Sequence, residues 1–278
     1  MSDRRLTPAN GRVAAAHLRG RVEAAQYVRG EARQVDVPVA DLLDAPGGRR
    51  ERQLVAGADV TVYETRQGWA FVQAAADGYV GYLPDAALRA PEAVTHRVAV
   101  RSTHLYPKPD FKTHETGTLS LGSRLQVVGE FGRFLETTRG FVPKVHLAPV
   151  DRRETDPVDV AERFLGTPYL WGGNSGFGID CSGLVQVACL ACGIACPGDS
   201  DMQEAGLGRT LAPDAPLQRG DLLFWKGHVA WVVDHVMILH ANAHHMAVAF
   251  EGLEEAIARI AAQGDGPVTA RKRLEDWP

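Results

Sequence analysis

The chain has 278 residues, of which 45% are hydrophobic and 23% charged, and its formal net charge is −4 at pH 7. This length and composition are typical of a folded globular protein with two or three domains. The slightly negative charge argues against nucleic acid or an anionic membrane as the partner, because both attract basic surfaces. No apolar run approaches the roughly 18 residues that a membrane-spanning helix needs.

The first segment, residues 1–34, has scattered apolar residues and several arginines. The spacing of its apolar residues from Val13 to Tyr27 predicts a helix. The charged start of the chain is not followed by the apolar stretch of a secretory signal. We therefore expect a cytoplasmic protein whose four cysteines are reduced.

From residue 35 the sequence changes to short β-rich runs with Gly and Pro turns, and this texture occurs twice. Gly78-Tyr79-Val80, followed by Pro84, is echoed by Gly140-Phe141-Val142-Pro143. Two copies of a unit of about 60 residues, each with many short strands, predict two small β-barrels. We place the barrels at residues 35–92 and 93–150.

The polar stretch at residues 151–157 breaks the strand pattern and predicts the start of a last domain, residues 151–278. Its helical patterns precede most of its strand patterns, which predicts an α+β domain. The expected helices are Val158 to Leu165, a buried helix that opens at Cys181 and ends at Gly193, and an amphipathic helix at residues 251–262. The expected strands are residues 221–226, 228–233 and 236–241.

Cys181 lies in the sharp turn Gly178-Ile179-Asp180-Cys181-Ser182-Gly183, directly before the apolar helix. A thiol at a helix N-terminus faces free backbone N–H groups and the positive end of the helix dipole, and both favour the thiolate. The position is suited to a nucleophile. A cysteine considered alone, however, is more often a small buried apolar residue.

Two later strands supply a base for this thiol. If residues 228–233 and 236–241 form a hairpin centred on Asp234, His228 and His240 face each other across it, with Cβ atoms about 5 Å apart. One imidazole can then act as base to Cys181 while the other orients it. Without its partner, His240 on an apolar strand would be interpreted as a core histidine.

Other clusters of potential metal ligands occur in the last domain. Cys189, Cys192 and Cys196 could bind a metal together with Cys181. Two of these cysteines belong to the hydrophobic helix and no histidine follows at ligand spacing, so we predict no metal and no other cofactor. The adjacent pair His244-His245 is interpreted as solvated, with a substrate contact as the alternative.

Five motifs, in order, resemble the NlpC-type papain-like peptidases that cut peptidoglycan stem peptides. The motifs are Tyr169-x-Trp171-Gly172-Gly173, Asp180-Cys181-Ser182-Gly183-Leu184-Val185, Arg219-Gly220-Asp221-Leu222, His228-Val229 and Leu239-His240-Ala241. The order of domains further resembles the γ-D-glutamyl–diamino acid endopeptidases and dipeptidyl-peptidases. The resemblance implies an α+β fold, with a papain-like C-terminal peptidase domain preceded by two small barrels like bacterial SH3 domains.

This resemblance also implies roles for individual residues. Cys181 would be the nucleophile, His228 the general base and His240 the orienting third member. The residues that match the family's substrate pocket are Tyr169, Trp171, Asp180, Ser182 and Ser200, with Tyr82 or Tyr79 of the first barrel closing the site. The Asp180 carboxylate would pair with a substrate ammonium group.

One stretch of the first barrel departs from the family pattern. Relatives hold the substrate amine with a glutamate in a Leu-aromatic-Gly-Glu context. The corresponding stretch here is Leu54-Val55-Ala56-Gly57-Ala58-Asp59, with Ala58 where the acid is expected. Either Asp59 or Glu64 replaces that glutamate, or amine recognition depends on Asp180 alone.

The resemblance implies a cysteine peptidase that hydrolyses the bond between γ-D-glutamate and a diamino acid, for which we favour meso-diaminopimelate. Its partners would be murein peptides with a free N-terminal L-Ala, in peptidoglycan turnover or recycling, and neither nucleic acid nor a membrane. An amidase or transacylase on the same fold is one alternative. A non-catalytic wall-binding protein is the other.

Overall fold

The computed structural model of the chain describes residues 3–275. These residues divide into two compact units, one ending at Val150 and the other beginning at Asp151. In residues 3–275, no helix combines the length and the apolar character that crossing a membrane requires.

The first unit consists of short strands and single-turn helices. Its strands are β1 (Val13–Ala15), β2 (Gln26–Val28), β3 (Glu31–Val35), β4 (Val39–Leu43), β5 (Arg50–Val55), β6 (Asp59–Arg66), β7 (Trp69–Ala74), β8 (Val80–Pro84), β9 (Leu88–Arg89), β10 (His96–Val98), β11 (Ser102–Leu105), β12 (Gly117–Ser120), β13 (Arg124–Leu125), β14 (Val127–Phe131), β15 (Phe134–Thr137), β16 (Gly140–Pro143) and β17 (Leu147–Pro149). Its 3-10 helices are Arg4–Leu6, Ala16–Leu18, Asp85–Ala87 and Lys144–His146.

The helix predicted from Val13 to Tyr27 is wrong. This stretch forms β1 and β2, which pair in parallel on either side of a 3-10 turn. Three consecutive residues of β1 are buried, and Val13 packs against Phe71 and Val80 of the neighbouring sheet. The parallel ladder with β2 and the packing of Val13 on the sheet both require an extended backbone here, so tertiary packing overrides the helical spacing. The next strand, β3, begins at Glu31, ahead of the boundary predicted at residue 35.

Strands β3 to β9 form one seven-stranded sheet in the order β5-β4-β8-β7-β6-β3-β9. The following strands form three small sheets, β13-β10-β17, β11-β12 and β14-β15-β16. Val98, Leu105, Leu119, Leu125 and Val142 make a shared apolar cluster among these small sheets.

The sequence repeat is visible in the structure of this unit. Strands β8 and β16 both end in a proline, Pro84 and Pro143, and each is followed by a 3-10 helix and then by a short strand, β9 or β17. Proline fixes φ near the value that such turns need and cannot continue a sheet ladder. The repeated prolines therefore mark equivalent corners of two similar β-rich modules.

Up to residue 275, the second unit contains four α-helices and one large sheet. The helices are α1 (Pro157–Glu162), α2 (Cys181–Ala191), α3 (Ser200–Gly206) and α4 (Leu253–Gln263). The strands are β18 (Asn174–Ser175), β19 (Gly178–Ile179), β20 (Arg209–Thr210), β21 (Leu222–Trp225), β22 (His228–Val232), β23 (Met237–Asn242), β24 (Ala247–Gly252) and β25 (Ala270–Arg273). The sheet has the order β20-β25-β21-β22-β23-β24, and its neighbouring strands are antiparallel.

Helix α4 covers one face of this sheet. Its residues Leu253, Ala256 and Ile260 share an apolar cluster with strand residues that include Ala230 and Ile238. Side chains two apart on a strand share a face. His228 on β22 and His240 on β23 therefore lie on the face that α4 covers. Helix α2 packs against the same two strands.

Candidate active site

Asp180 holds the turn that presents Cys181 at the first position of α2. One carboxylate oxygen accepts hydrogen bonds from the N–H of Gly183 at 2.7 Å and from the hydroxyl of Ser182 at 3.1 Å. The other oxygen accepts a bond from the N–H of Gly172 at 2.9 Å. Asp180 is thus the N-cap of the helix and also ties down the preceding loop.

Two glycines of the motif are required by close approach of the backbone. A Cβ atom on Gly183 would lie 2.5 Å from the carbonyl oxygen of Gly173. A Cβ on Gly173 would lie 2.6 Å from the carbonyl oxygen of Gly178. Both distances are far below van der Waals contact, so a side chain at either position would push the loop away from the helix.

The two predicted histidines meet. The Nε2 atom of His228 lies 2.8 Å from the Nδ1 atom of His240. The hairpin centred on Asp234 predicted that the two histidines lie directly opposite each other. That register is wrong, because Trp231 pairs with Leu239 and Val232 with Ile238. This register places the rings two residues apart along the ladder. A shift of two residues keeps side chains on the same face, so the rings still hydrogen-bond.

The contact continues beyond His240 to a carboxylate that the sequence analysis missed. The Nε2 atom of His240 lies 3.0 Å from Oε2 of Glu251. Arg259 of α4 donates to both oxygens of Glu251, at 2.7 and 2.8 Å. Glu251 was expected to begin the helix at residues 251–262, but it lies in β24, and the helix starts two residues later. On strand β24, Glu251 pairs with Ile238 and so shares the face of His240.

The sulfur of Cys181 lies at the strand that carries His228. The backbone N–H of Val229, the residue after His228, hydrogen-bonds this sulfur, as do the N–H groups of Ser182 and of Cys181 itself. Since Nε2 of His228 is engaged with His240, Nδ1 is the ring nitrogen that remains for the thiol proton. Elements α2, β22 and β23 therefore bring the Cys181 thiol to the strand of His228, whose ring contacts that of His240, and the roles of nucleophile, base and orienting group stay predictions.

Burial sets the protonation of these groups. It raises the pKa of the Cys181 thiol to about 12, with a further upward influence from Asp180, and the three backbone N–H groups only partly oppose it. Burial also lowers the pKa of half-buried His228 and lowers that of fully buried His240 to about 4. At neutral pH these shifts favour a neutral thiol and neutral imidazoles, in contrast to the thiolate that the helix N-terminus alone predicts.

Tyr169 and Trp171 lie on the loop before the cysteine turn. Tyr169 is half-buried, and its phenol pKa is raised by burial and by the neighbouring Cys181 and Asp180. The phenol therefore stays protonated and can donate a hydrogen bond beside the thiol. The Trp171 side chain is 71% exposed and adjoins Gly172, whose N–H is bonded to Asp180.

Ser182 and Ser200 lie on two different helices, and a contact of Ser200 with substrate stays a prediction. Ser182 follows the cysteine on α2 and its hydroxyl donates to Asp180. Ser200 is the first residue of α3 and is half-buried. Gln203, also on α3, is fully buried, and its side-chain amide donates to the Ser182 carbonyl at 2.9 Å. This link between α3 and α2 was not predicted.

The candidate residues of the first barrel are described within the first unit alone. Tyr79 is 2% exposed and lies under the Arg52 guanidinium, at 5.3 Å from its ring centroid, so it is a core residue. Tyr82 is half-buried, with its ring 5.0 Å from that of Phe71. Of the two tyrosines, Tyr82 is the accessible one, and its contact with substrate stays a prediction.

The two acids proposed to replace the family's glutamate are both neutralised within the first unit. Asp59 accepts a hydrogen bond from Gln34 at 2.8 Å and forms an ion pair with Arg124. Glu64 forms an ion pair with Arg12 at 2.6 Å, which lowers the pKa of its carboxyl. A substrate amine would compete with a guanidinium at either carboxylate.

The cysteines away from Cys181 form a buried thiol cluster. Cys189 hydrogen-bonds Cys196, and this contact together with burial raises the pKa of the Cys189 thiol, which disfavours the thiolate that metals bind. Among the described residues, the potential metal ligands that come together are His240, His245 and Glu251. Glu251 there already accepts two bonds from Arg259, a cation that opposes metal binding.

Two regions of the chain, one in each compact unit, match known protein families. Residues 166–260 match the NlpC/P60 family, and residues 42–88 match the bacterial dipeptidyl-peptidase Sh3 domain. The chain carries an NlpC/P60 domain. The predicted resemblance and fold class are thereby confirmed: a papain-like domain of mixed helix and sheet follows an SH3 domain. The matched region contains Cys181, His228, His240 and Glu251.

Two relatives of this chain carry peptidase names. Dipeptidyl-peptidase 6 of Lysinibacillus sphaericus is 38% identical over 98 residues, which are 35% of this chain and 36% of the relative. Gamma-D-glutamyl-L-lysine dipeptidyl-peptidase of Bacillus cereus is 27% identical over 229 residues, 69% of this chain and 67% of the relative. The first alignment thus spans about a third of that relative's length.

A solved structure extends the likeness of the fold. The crystal structure of an NlpC/P60 family protein from Bacillus cereus has a TM-score of 0.74 to this chain at 22% identity. The superposition covers 89% of this chain and 100% of that protein. At this identity the comparison shows similarity of the fold alone.

Proposed function

We propose that this NlpC/P60 protein is a cysteine peptidase that hydrolyses the bond between γ-D-glutamate and a diamino acid in murein peptides. The observation that carries the proposal is the placement of the Cys181 sulfur at the strand of His228, whose ring contacts His240. The names of the two relatives, one of them a gamma-D-glutamyl-L-lysine dipeptidyl-peptidase, support the substrate class.

In the proposed reaction, His228 takes the thiol proton while the Cys181 sulfur attacks the γ-carbonyl carbon of the D-glutamyl residue. The carbonyl oxygen becomes an oxyanion, which the backbone N–H of Cys181 stabilises at the start of α2. The His228 imidazolium then protonates the leaving amine as the C–N bond breaks, and a thioester remains. Water, deprotonated by His228, hydrolyses the thioester and restores the thiol.

Recognition of a free N-terminal L-Ala rests on Asp180 in this proposal. Its carboxylate already accepts three hydrogen bonds from its own chain, and a substrate ammonium would add a charge-assisted one. Asp59 and Glu64 are paired with arginines, which supports Asp180 over both. The peptides' cellular origin, and with it the cytoplasmic recycling role, stays a prediction.

The substrate is tested with a panel of peptides and mass spectrometry of the products. L-Ala-γ-D-Glu-L-Lys and L-Ala-γ-D-Glu-meso-diaminopimelate should both be offered, each with a free and an acetylated N-terminus. We expect L-Ala-D-Glu and the free diamino acid as products, with slower cleavage of the acetylated peptides. Release of sugar from an intact muramyl-peptide, with the γ-D-glutamyl bond uncut, would instead assign an amidase.

The nucleophile is tested with Cys181→Ala. Removal of the attacking sulfur should lower kcat by a factor of about 1,000 or more while peptide binding, measured by calorimetry, is retained. Cys192→Ala removes a buried thiol from the same helix region and is the matched control, which should keep its activity. Undiminished turnover in Cys181→Ala would refute the cysteine mechanism, and a wild type without turnover would favour the wall-binding alternative.

A further inference from the structure

The buried row of polar side chains behind Cys181 ends in a carboxylate. Glu251 has a side chain that is 9% exposed, and it lies between the His240 ring and the Arg259 guanidinium. The bidentate ion pair with Arg259 is the largest of the influences that lower the pKa of Glu251 to about 2. Glu251 is therefore ionised at neutral pH and can only accept hydrogen bonds.

An ionised Glu251 determines which nitrogen of His240 carries the proton. The His240 Nε2 atom lies 3.0 Å from a Glu251 oxygen, so Nε2 must bear the hydrogen and donate it. A neutral imidazole has one N–H group, which leaves the Nδ1 atom of His240 as an acceptor. Its hydrogen-bond partner, Nε2 of His228 at 2.8 Å, is then the donor.

The same reasoning reaches the nitrogen that has to act as the base. With its single proton on Nε2, neutral His228 has an unprotonated Nδ1, which can take a proton from the thiol. The reverse arrangement is equally compatible with the 2.8 Å contact between the rings. In that arrangement His240 donates from Nδ1, His228 carries its proton on Nδ1, and no lone pair is available for Cys181.

We propose that Glu251 is a positioning residue that fixes the tautomers of His240 and His228 so that His228 presents an unprotonated Nδ1 to Cys181. The inference rests on the proposed function, since it assigns His228 as the base. Glu251 contacts His240 and Arg259, and so acts through the His240 ring rather than on the sulfur. Arg259 keeps the carboxylate ionised and in place.

Glu251→Gln tests this assignment in the full-length protein. A glutamine has nearly the shape of glutamate, but its NH₂ group can donate to Nε2 of His240 and so favour the reverse arrangement. We expect kcat for the tripeptide to fall about 10- to 100-fold with KM nearly unchanged, a loss within the range that general-base catalysis contributes. Glu254→Gln is the matched control, because it removes an exposed glutamate at the start of α4.

Nitrogen-15 NMR of histidine-labelled protein reads the tautomers directly. In the wild type we expect both rings to be protonated on Nε2, with assignments from the loss of signals in His228→Gln and His240→Gln. In Glu251→Gln the populations should shift toward Nδ1–H, whereas Glu254→Gln should leave them unchanged. A purely structural role for Glu251 would lower the unfolding midpoint without moving these signals.

Two further outcomes keep the inference open to refutation if Glu251→Gln does not fold. A wild-type spectrum with His228 protonated on Nδ1 would overturn it without any variant. Arg259→Gln retains the carboxylate beside His240 and should retain the wild-type tautomers. Loss of those tautomers in this variant would show that Arg259, and not Glu251, determines them. Failure of the proposed function is distinguishable, because it would show as a wild type that does not cleave the peptides or a Cys181→Ala variant that does.

Discussion

The His240 ring illustrates how burial, rather than a charged neighbour, can govern a titratable residue. Its side chain is fully buried, and its pKa is lowered to about 4 although Glu251 favours the charged form. An unfolded chain would protonate the same ring near pH 6.5. Between these two values the unfolded state binds more protons than the folded state, so stability rises with pH in that window.

The lowered pKa of His240 predicts that the protein loses stability as the pH falls. Lowering the pH from 7.5 to 5 should cost about 2 kcal/mol of unfolding free energy through His240 alone. In His240→Asn that contribution is absent, so the variant's stability should depend less on pH, even if it is lower at pH 7.5. Urea unfolding followed by tryptophan fluorescence at both pH values measures the two slopes. Equal slopes in the two proteins would contradict the expectation.

The residues of the site differ in how far local sequence locates them. Asp180 and Cys181 are neighbours in a turn that caps a helix, so a short motif is sufficient to place them. His228 and His240 are found from the alternation of strand faces, because a register error of two residues leaves both side chains on the same face. Glu251 was missed because its role depends on whether it ends a strand or begins a helix. The end of an element is harder to predict from local sequence than its existence.

At the scale of elements, ion pairs join the pieces that frame the site. The Asp221 carboxylate at the start of β21 is fully buried and accepts two bonds from Arg273 of β25, both at 2.7 Å. Arg219 donates to Asp156, the N-cap of α1, at 2.7 Å. The Arg219-Gly220-Asp221 motif thus connects helix α1 and strand β25 to the start of the neighbouring strand β21.

Asp221→Asn should therefore destabilise the second unit. Neutralising one partner leaves the Arg273 guanidinium without its charged acceptor, and breaking a buried pair in this way costs about 3 kcal/mol. Asp159→Asn is the control, because that carboxylate is 63% exposed in its ion pair with Arg219 and should matter by less than about 1 kcal/mol. Urea midpoints for both variants give the comparison, and similar midpoints would refute the structural role of Asp221.

At the scale of the whole molecule, two compact units follow one another along the chain, and each contains apolar clusters of its own. Val98 and Leu119 belong to a cluster in the first unit, and Leu223 and Ile260 belong to one in the second. The connection begins with three exposed residues, Asp151 to Arg153. A chain with separate cores and an exposed connection is expected to fold as separate cooperative units.

Limited digestion with trypsin tests this expectation. Cleavage should occur first after Arg152 or Arg153, and give two fragments that mass spectrometry identifies. Because each unit has its own core, each purified fragment should unfold cooperatively in urea. Fragments that lose their circular dichroism on separation would show instead that the units depend on each other for stability.

The sequence by itself determined the β-rich character of the first unit, the α+β character of the second, and the candidate nucleophile with its two histidines. These features depend on neighbours in the chain or on a period of two, both of which are local. Only the tertiary structure decided that Val13 enters a strand, that the hairpin register is shifted by two residues, and that Glu251 and Arg259 stand behind His240. It also decided that the pKa of the Cys181 thiol is raised rather than lowered, because burial depends on everything that packs around a group.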